Sequence, residues 1–387
     1  MRPRLPSLGR WFVLWGVAVT LVLLTVVVPA VAGFHIDRAA SDAGTLLAGR
    51  VAAVESRERR PSPRGDVEHE VLLIETDGTT VRIESTRLAG DIGTLALEAG
   101  DEVLVTRTPG PDGPTYYVSD RRRPLPLAAL ALAFGLSVLV IGRMTGAWSL
   151  LGLAASGLVI WRYIVPGILS GHDPVLIAVT GAAAIIGATL YLTHGADRKA
   201  AVALAGTCAS LTLTALLAAV VIGAARLSGV ASEEAATLQL LSTHAITPTG
   251  LLLAGVVIGA LGVLDDVTIA QASAVFELRD ANPALPAREL YRRAMRIGRD
   301  HIAATVNTLV LAYAGAALPL LMLLAAQGES LLLQLHREYV AAEIVRTLVG
   351  SLGIVAAVPL TTALAAYTAA RFGAGRDSGS GAAAEPA

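Results

Sequence analysis

Charged residues are scarce in this sequence. Asp, Glu, Lys and Arg make up 16% of its 387 residues, whereas soluble globular proteins carry about 25%. This shortage argues against an ordinary soluble enzyme. The net charge is −1, so the chain as a whole has no electrostatic attraction to nucleic acid, and none is expected as a partner.

Cysteine is nearly absent as well. The single cysteine, Cys208, lies inside an apolar block, which excludes an internal disulfide and requires any extracytoplasmic domain to fold without one. The sequence also lacks a phosphate-binding loop, a His-Glu-x-x-His motif and a Gly-x-Ser-x-Gly motif. We therefore predict no enzymatic activity, no cofactor and no metal site.

Closely spaced aspartates, such as the adjacent pair in this chain, occur in two classes of intramembrane enzyme, aspartyl proteases and prenyl-transfer enzymes. Intramembrane aspartyl proteases carry a Gly-x-Gly-Asp pattern, but this chain reads Gly262-Val263-Leu264-Asp265. Prenyl-transfer enzymes need a second Asp-rich motif to hold magnesium, and the sequence has none. Both classes are disfavoured.

Apolar residues are abundant and are concentrated in blocks. They form 54% of the chain, in stretches close to the roughly 20 residues that cross a hydrocarbon core. The pattern predicts an α-helical polytopic membrane protein with about eight transmembrane helices. The predicted helices cover residues 11–31, 125–142, 147–166, 174–193, 200–224, 248–272, 301–325 and 341–370.

The first apolar block follows three arginines and has two interpretations. Ala30-Val31-Ala32 has the form of a signal-peptide cleavage site, which would give a mature N-terminus near Gly33. The block is longer than a usual signal core, so we favour a retained anchor.

Residues 34–123 have a different character, with charges and alternating β-branched residues. Asp77-Gly78 between two such runs predicts a hairpin. We predict a small extracytoplasmic β-rich domain of about five strands, an OB-like or SH3-like barrel or a sandwich. The basic segment 57–66 is expected to be a solvated loop, although it could bind an anionic envelope polymer.

Arg and Lys in the short loops set the topology, because cytoplasmic loops are enriched in them. They place both termini in the cytoplasm. The predicted segments are 1–33 (cytoplasmic tip and anchor helix), 34–123 (outer domain), 124–372 (seven-helix membrane domain) and 373–387 (disordered cytoplasmic tail). The segment before residue 300 predicts an amphipathic helix that either binds lipid headgroups or only anchors the topology, through Arg288, Arg292, Arg293, Arg296 and Arg299.

Asp265 and Asp266 follow a long apolar run and are the main functional candidates. Carboxylates at membrane depth are costly and usually face a bundle interior or a water-filled cavity. Asp266, Ser273 and Glu277 share one helical stripe, so we expect that stripe to face inward. The depth of the aspartates depends on whether the helix continues beyond them.

The next predicted helix begins with polar residues that an antiparallel arrangement would bring to the aspartates. Carboxylates, an imidazole and hydroxyls at membrane depth are the parts of a proton relay or cation site. The alternative is a hydrogen-bonded lock between two helices, which we favour for His301 alone. The predicted ion, proton or substrate pathway comprises Asp265, Asp266, Thr268, Gln271, Ser273, Glu277, His301, Thr305 and Asn307.

Three weaker patterns concern helix geometry. Small residues at Gly255, Gly259, Gly262 and Gly315 predict close helix packing. Hydroxyls in the Cys208 helix are expected to bond to their own backbone. Pro319 is the best candidate for a true helix break.

The stretch GALGVLDDVTIAQASAVFEL followed by GRDHIAATVNTLVLAYAGAALPLL resembles the YibE/F-like family of bacterial membrane proteins. The resemblance implies a bacterial cell membrane location and a permease-like architecture, without a substrate or catalytic residues.

Two functions from different classes follow. The leading one is a transporter or channel for a small solute or ion, with a proton or cation bound at Asp265 and Asp266. The alternative is a non-transporting sensor or assembly factor whose outer domain binds an envelope ligand or protein. The lipid bilayer is the expected environment in both cases, and the sequence leaves a homo-oligomer open.

Overall fold

The computed structural model describes residues 8–34, 44–61, 66–88, 97–110, 113–195, 197–230, 233–242 and 245–372. The predicted tail 373–387 lies outside these residues, as do parts of the predicted N-terminal tip (1–7) and basic loop (62–65). The chain forms two compact units, one within Arg38–Ile141 and one from the flanking segments Met1–Asp37 and Gly142–Ala387.

The first unit is built around a five-stranded antiparallel sheet. The strands are β1 (Thr45–Arg60), β2 (Val67–Thr76), β3 (Thr79–Leu88), β4 (Glu102–Thr108) and β5 (Thr115–Arg121), and their order in the sheet is β3-β2-β1-β4-β5. β1 pairs with both β2 and β4, and two register shifts between Val51 and Ser56 bend it. Asp77 and Gly78 form the β2–β3 turn with positive φ angles, as a two-residue hairpin requires.

The curved sheet is a half-barrel, so the predicted small β-rich domain is confirmed, whereas its finer description as a barrel or sandwich is not. β3 and β5 are the two edges; they contact each other but form no ladder among the described residues. The concave core contains Val51, Leu72, Ile74, Ile83, Val103 and Val105. The predicted strand number and hairpin are confirmed.

One ionic pair tests the packing of this sheet. Arg57 Nε donates to the Glu70 carboxylate at 2.5 Å, and Glu70 is 2% exposed. We expect Arg57→Met to lower the free energy of unfolding of the sheet unit by about 2 kcal/mol, because a buried carboxylate loses this charged donor. Hydrogen exchange of the β1 and β2 amides in the full chain measures the loss.

The matched control is Arg82→Met. Arg82 pairs with Glu55 at 2.9 Å, and both side chains are exposed, so the expected loss of stability is much smaller than for Arg57→Met. Equal losses in the two variants would contradict the assigned role of Arg57.

The second unit is helical. α1 (Leu8–Val22) continues through a π-helical turn into α2 (Val28–Val31), and α3 (Pro124–Val159) similarly into α4 (Val165–Leu169). α3 begins in the first unit. The remaining helices are α5 (Pro174–His194), α6 (Arg198–Ala224), α7 (Glu233–Leu241), α8 (Pro248–Ala281), α9 (Ala287–Ala316), α10 (Leu318–Ala326), α11 (Leu331–Leu335) and α12 (Glu338–Phe372).

α8 is the central helix of this unit. It packs against α5, α6, α9 and α12 and buries Leu264, Val267, Ala272 and Val275 completely or nearly so. The backbone of α8 is helical through Ala281, beyond the predicted end at residue 272. The segment after the aspartates therefore continues the same helix.

α6 and α12 pack through two reciprocal contacts. A Cβ placed on Gly206 would lie 2.3 Å from Thr361 Oγ1, and one on Gly353 would lie 2.3 Å from Thr214 Oγ1. The glycine and the threonine are eight residues apart in each helix, so the two helices meet as an antiparallel pair. Thr361 Oγ1 is buried and has no hydrogen-bond partner within the described residues.

Two predicted helix boundaries need correction. The segment between the predicted helices 248–272 and 301–325 is mostly helical, because α8 ends at Ala281 and α9 begins at Ala287. The predicted amphipathic segment is thus the first part of a long helix. α9 and α10 meet at a 61° bend at Ala317, and Pro319 lies in the first turn after it, where its missing N–H costs nothing.

Five helical stretches in the described residues are long and apolar enough to cross a membrane, and the bent α9–α10 pair adds a sixth. The predicted number of eight exceeds this count. The five stretches are Pro124–Leu169, Pro174–His194, Arg198–Ala224, Pro248–Ala281 and Glu338–Arg371.

Candidate functional site

Asp265 lies at the middle of α8 and faces α5. It is 17 residues after Pro248, which corresponds to about 26 Å along the helix. Its Oδ2 accepts a hydrogen bond from Thr189 Oγ1 at 3.3 Å. The same hydroxyl lies 2.9 Å from the Ile185 carbonyl and 3.1 Å from the Ile186 carbonyl. A hydroxyl has one proton to donate, and the two carbonyls compete with Asp265 for it. The hydrogen bond to Asp265 is therefore weak.

The second oxygen of Asp265 is enclosed. Oδ1 is buried and has no hydrogen-bond partner within the residues that the structure describes. A buried acceptor without a donor costs about 1–3 kcal/mol, and a charged one costs more. The side chain therefore has an unsatisfied oxygen that a proton or a cation would complete.

Asp266 has a different environment. It is exposed, and its carboxylate interacts electrostatically with the His301 side chain on α9. Thr305 is half-buried and Asn307 is exposed, and neither is hydrogen-bonded to an aspartate among the described residues. The structure thus brings together Asp266 and His301, but it does not gather the predicted pathway into one cluster.

Two further predicted residues face the interior of the helical unit. Thr268 is fully buried and shares a 2.6 Å hydrogen bond with Thr207 of α6. Gln271 is 3% exposed, and its Nε2 donates to the Ala294 carbonyl of α9 at 2.9 Å. Both contacts join α8 to a neighbour and leave little capacity for a ligand.

The outermost members of the predicted stripe do not face inward. Glu277 is exposed and accepts a 2.6 Å hydrogen bond from Lys199 Nζ, while Ser273 is half-buried. Since Asp266 and Glu277 both lie on the outside of the unit, the expected inward orientation of this stripe is wrong. The inward carboxylate is Asp265, one helical step away.

Thr189 is the site residue that the sequence reasoning missed. It is one of several Ser and Thr residues on apolar helices, and the residues next to it in the sequence do not distinguish it from the others. The hydroxyls of α6 are in better agreement with expectation: Thr207, Ser210, Thr212 and Thr214 each donate to the carbonyl four residues earlier, at 2.7–2.9 Å.

The predicted packing glycines are mostly open. A Cβ on Gly255, Gly262 or Gly315 would meet no heavy atom of the described chain within 4 Å, and one on Gly259 would meet the Tyr313 hydroxyl at 2.8 Å. Within the described chain, Gly259 is thus the predicted glycine that has a close neighbour, and Gly255, Gly262 and Gly315 have none. Gly206 and Gly353 provide further close helix contacts that were not predicted.

The arginine-rich part of α9 is amphipathic, as the pattern indicates. Leu290, Ala294 and Gly298 are buried, which fixes this segment against α8 and α12. Glu289 forms 2.7 Å ion pairs with two of the arginines. All five arginines, Arg288, Arg292, Arg293, Arg296 and Arg299, are exposed on the other side.

The long apolar helices indicate a helical membrane protein. Its described residues contain no group of three His, Cys, Asp or Glu side chains that could hold a metal ion. The chain belongs to the YibE/F-like protein family, whose sequence model matches residues 130–371. No curated protein and no solved structure matches the chain significantly.

Proposed function

We propose that this protein is a permease or channel of a bacterial cell membrane, with a proton or cation bound at Asp265. The observation that carries the proposal is the enclosed Asp265 Oδ1, which has no donor within the described residues. Ionisable groups at such depth in membrane helices usually belong to ion or proton pathways. The weak bond from Thr189 leaves the carboxylate able to exchange its ligand.

The proposed topology has eight spans. It adds the apolar helix Trp15–Val31 to the six stretches described above and divides Pro124–Leu169 at Arg143. Arg143 has φ 51° and ψ −131° inside that stretch, so the helix is interrupted there. The exposed arginines of α9 support a cytoplasmic position for the α8–α9 connection, where they would contact anionic headgroups.

Replacement of both aspartates by asparagine tests the proposal. We expect Asp265→Asn with Asp266→Asn to abolish proton or sodium flux in reconstituted vesicles, because neither site then carries a charge to balance the ion. Flux is measured with an internal pH-sensitive or sodium-sensitive dye under an imposed gradient. Expression and thermal stability serve as the folding control, and unchanged flux in both assays would overturn the proposal.

A second function is favoured by a polar cleft in the sheet unit. The cleft has a volume of about 260 Å³ and is lined by charges of both signs, including Arg50, Glu75, Asp77 and Arg122. An envelope sensor or assembly factor would use such a surface to bind a charged ligand. Deletion of residues 34–123 separates the two functions: a sensor loses its activity, whereas a permease with an intact helical unit retains ion flux.

A further inference from the structure

A second polar region lies where α8 and α12 begin, well away from Asp265. A cavity of about 580 Å³ opens there between α7, α8, α10 and α12. One side of it is apolar and is formed by Leu251, Leu252, Leu320 and Leu323. The volume is within the range of small-molecule sites, which combine an apolar lining with a few polar groups.

The α12 wall of this cavity carries an ion pair. Arg346 Nη1 bonds to the Glu343 carboxylate one turn earlier, and the two side chains are 30% and 33% exposed. A guanidinium has five N–H donors, so this contact leaves Arg346 further donors for a second carboxylate or phosphate. Planar bidentate recognition of such anions is typical of arginine.

Other polar groups line the same cavity. Glu234 of α7 is exposed and supplies a second carboxylate, and Tyr339 of α12 supplies a hydroxyl. The lining therefore holds one cationic and two anionic side chains. A ligand with only an anionic group could bond to Arg346 but would face the carboxylate of Glu234, and one with only an ammonium group would leave the remaining donors of Arg346 unused.

We infer that this cavity binds a small zwitterion with an apolar body. The anionic group of the ligand bonds to Arg346, its ammonium group faces Glu234, and its apolar part packs on the leucines. A free amino acid and the headgroup of a zwitterionic lipid share this chemistry. The inference does not depend on ion flux through Asp265, because equilibrium binding requires no transport.

Tyr313 of α9 lies outside the cavity lining but near its charged side chains and near α8. It lies in the electrostatic field of Arg346 and Glu343, and its hydroxyl would be 2.8 Å from a Cβ on Gly259. Gly259 precedes Asp265 by six residues, or about 9 Å along the helix. The absence of a side chain at Gly259 gives the tyrosine the space it occupies beside the charged wall.

Calorimetric titration of the full chain in detergent tests the inference with three ligands of one shape. Leucine is a zwitterion, leucinol carries only the ammonium, and N-acetylleucine carries only the carboxylate. We expect leucine to bind at least about tenfold more tightly than either analogue, which is the effect of one retained charged hydrogen bond. Glycerophosphoethanolamine represents the headgroup of a zwitterionic lipid in the same titration. It should bind in place of leucine if the natural ligand is a headgroup.

The variant Arg346→Gln should weaken zwitterion binding at least about tenfold. The matched control is Arg371→Gln, because Arg371 lies near the other end of α12, outside the cavity, and its Nη1 donates to the Tyr367 hydroxyl at 2.7 Å. If Arg346→Gln lowers the melting temperature, Glu234→Gln replaces it and should remove the preference for leucine over N-acetylleucine. Equal affinities for the three leucine-shaped ligands together with no binding of glycerophosphoethanolamine, or equal effects of the two arginine variants, would overturn the inference.

Discussion

Replacement of Asp265 alone by asparagine should reduce proton or cation flux by about a hundredfold or more, whereas Asp266→Asn should reduce it by less than about tenfold. Each factor of ten corresponds to about 1.4 kcal/mol. Asp265 is the enclosed carboxylate with an unsatisfied Oδ1, so a neutral amide there removes the group that binds the ion. Asp266 is exposed beside His301 and affects the bound ion only through the electrostatic field of its charge.

The measurement uses purified protein in vesicles, with equal amounts of each variant confirmed by quantitative labelling. Thr189→Val is the accompanying variant, because it removes the hydroxyl that bonds to Asp265 Oδ2 at 3.3 Å and keeps the side-chain shape. It should change the affinity for the ion without abolishing flux. A larger loss in Asp266→Asn than in Asp265→Asn would contradict the assignment of the ion site.

Gly206→Ala and Gly353→Ala should each lower the stability of the helical unit by about 1–3 kcal/mol, the usual cost of overpacking. Each new Cβ would lie 2.3 Å from a threonine hydroxyl on the facing helix. Such a distance forces a shift of the threonine or of the helix pair. Thermal unfolding in detergent measures the effect as a lower melting temperature.

Gly255→Ala is the control for these two variants, since its Cβ would meet no atom of the described chain within 4 Å. A rescue experiment sharpens the comparison. Thr361→Ala removes the hydroxyl that Gly206→Ala would strike, so it should restore part of the stability lost by Gly206→Ala and none of that lost by Gly353→Ala. Equal rescue of both would show that the two losses have another cause.

Local patterns in the sequence predicted the individual elements well. Alternating residues and the Asp77-Gly78 turn identified five strands, and apolar blocks identified the long helices. The half-barrel was not predictable, because closure depends on whether β3 and β5 pair at the edges. Similarly, the polar start of α9 looked like a separate surface helix, although Leu290 and Ala294 pack it against the centre of the unit.

The stripe of α8 that was predicted to face inward lies one helical step away from the carboxylate that does face inward, Asp265. A helical stripe can be drawn through Asp266 and Glu277, yet the neighbours decide which side is buried, and α5 covers Asp265. The packing glycines show the same limit. Gly255 and Gly259 have the familiar four-residue spacing, yet only Gly259 of the two has a close neighbour, and the α6–α12 contacts use Gly206 and Gly353, each followed eight residues later by a threonine.

The length of the central helix has a practical consequence. α8 has 34 residues and is about 51 Å long, and even at a tilt of about 40° it covers about 39 Å of the membrane normal. The hydrocarbon core is about 30 Å thick, so in the proposed topology part of α8 must lie outside that core. In electron micrographs this part of α8 would lie in the polar shell of the detergent micelle and provide a fixed feature for aligning particles.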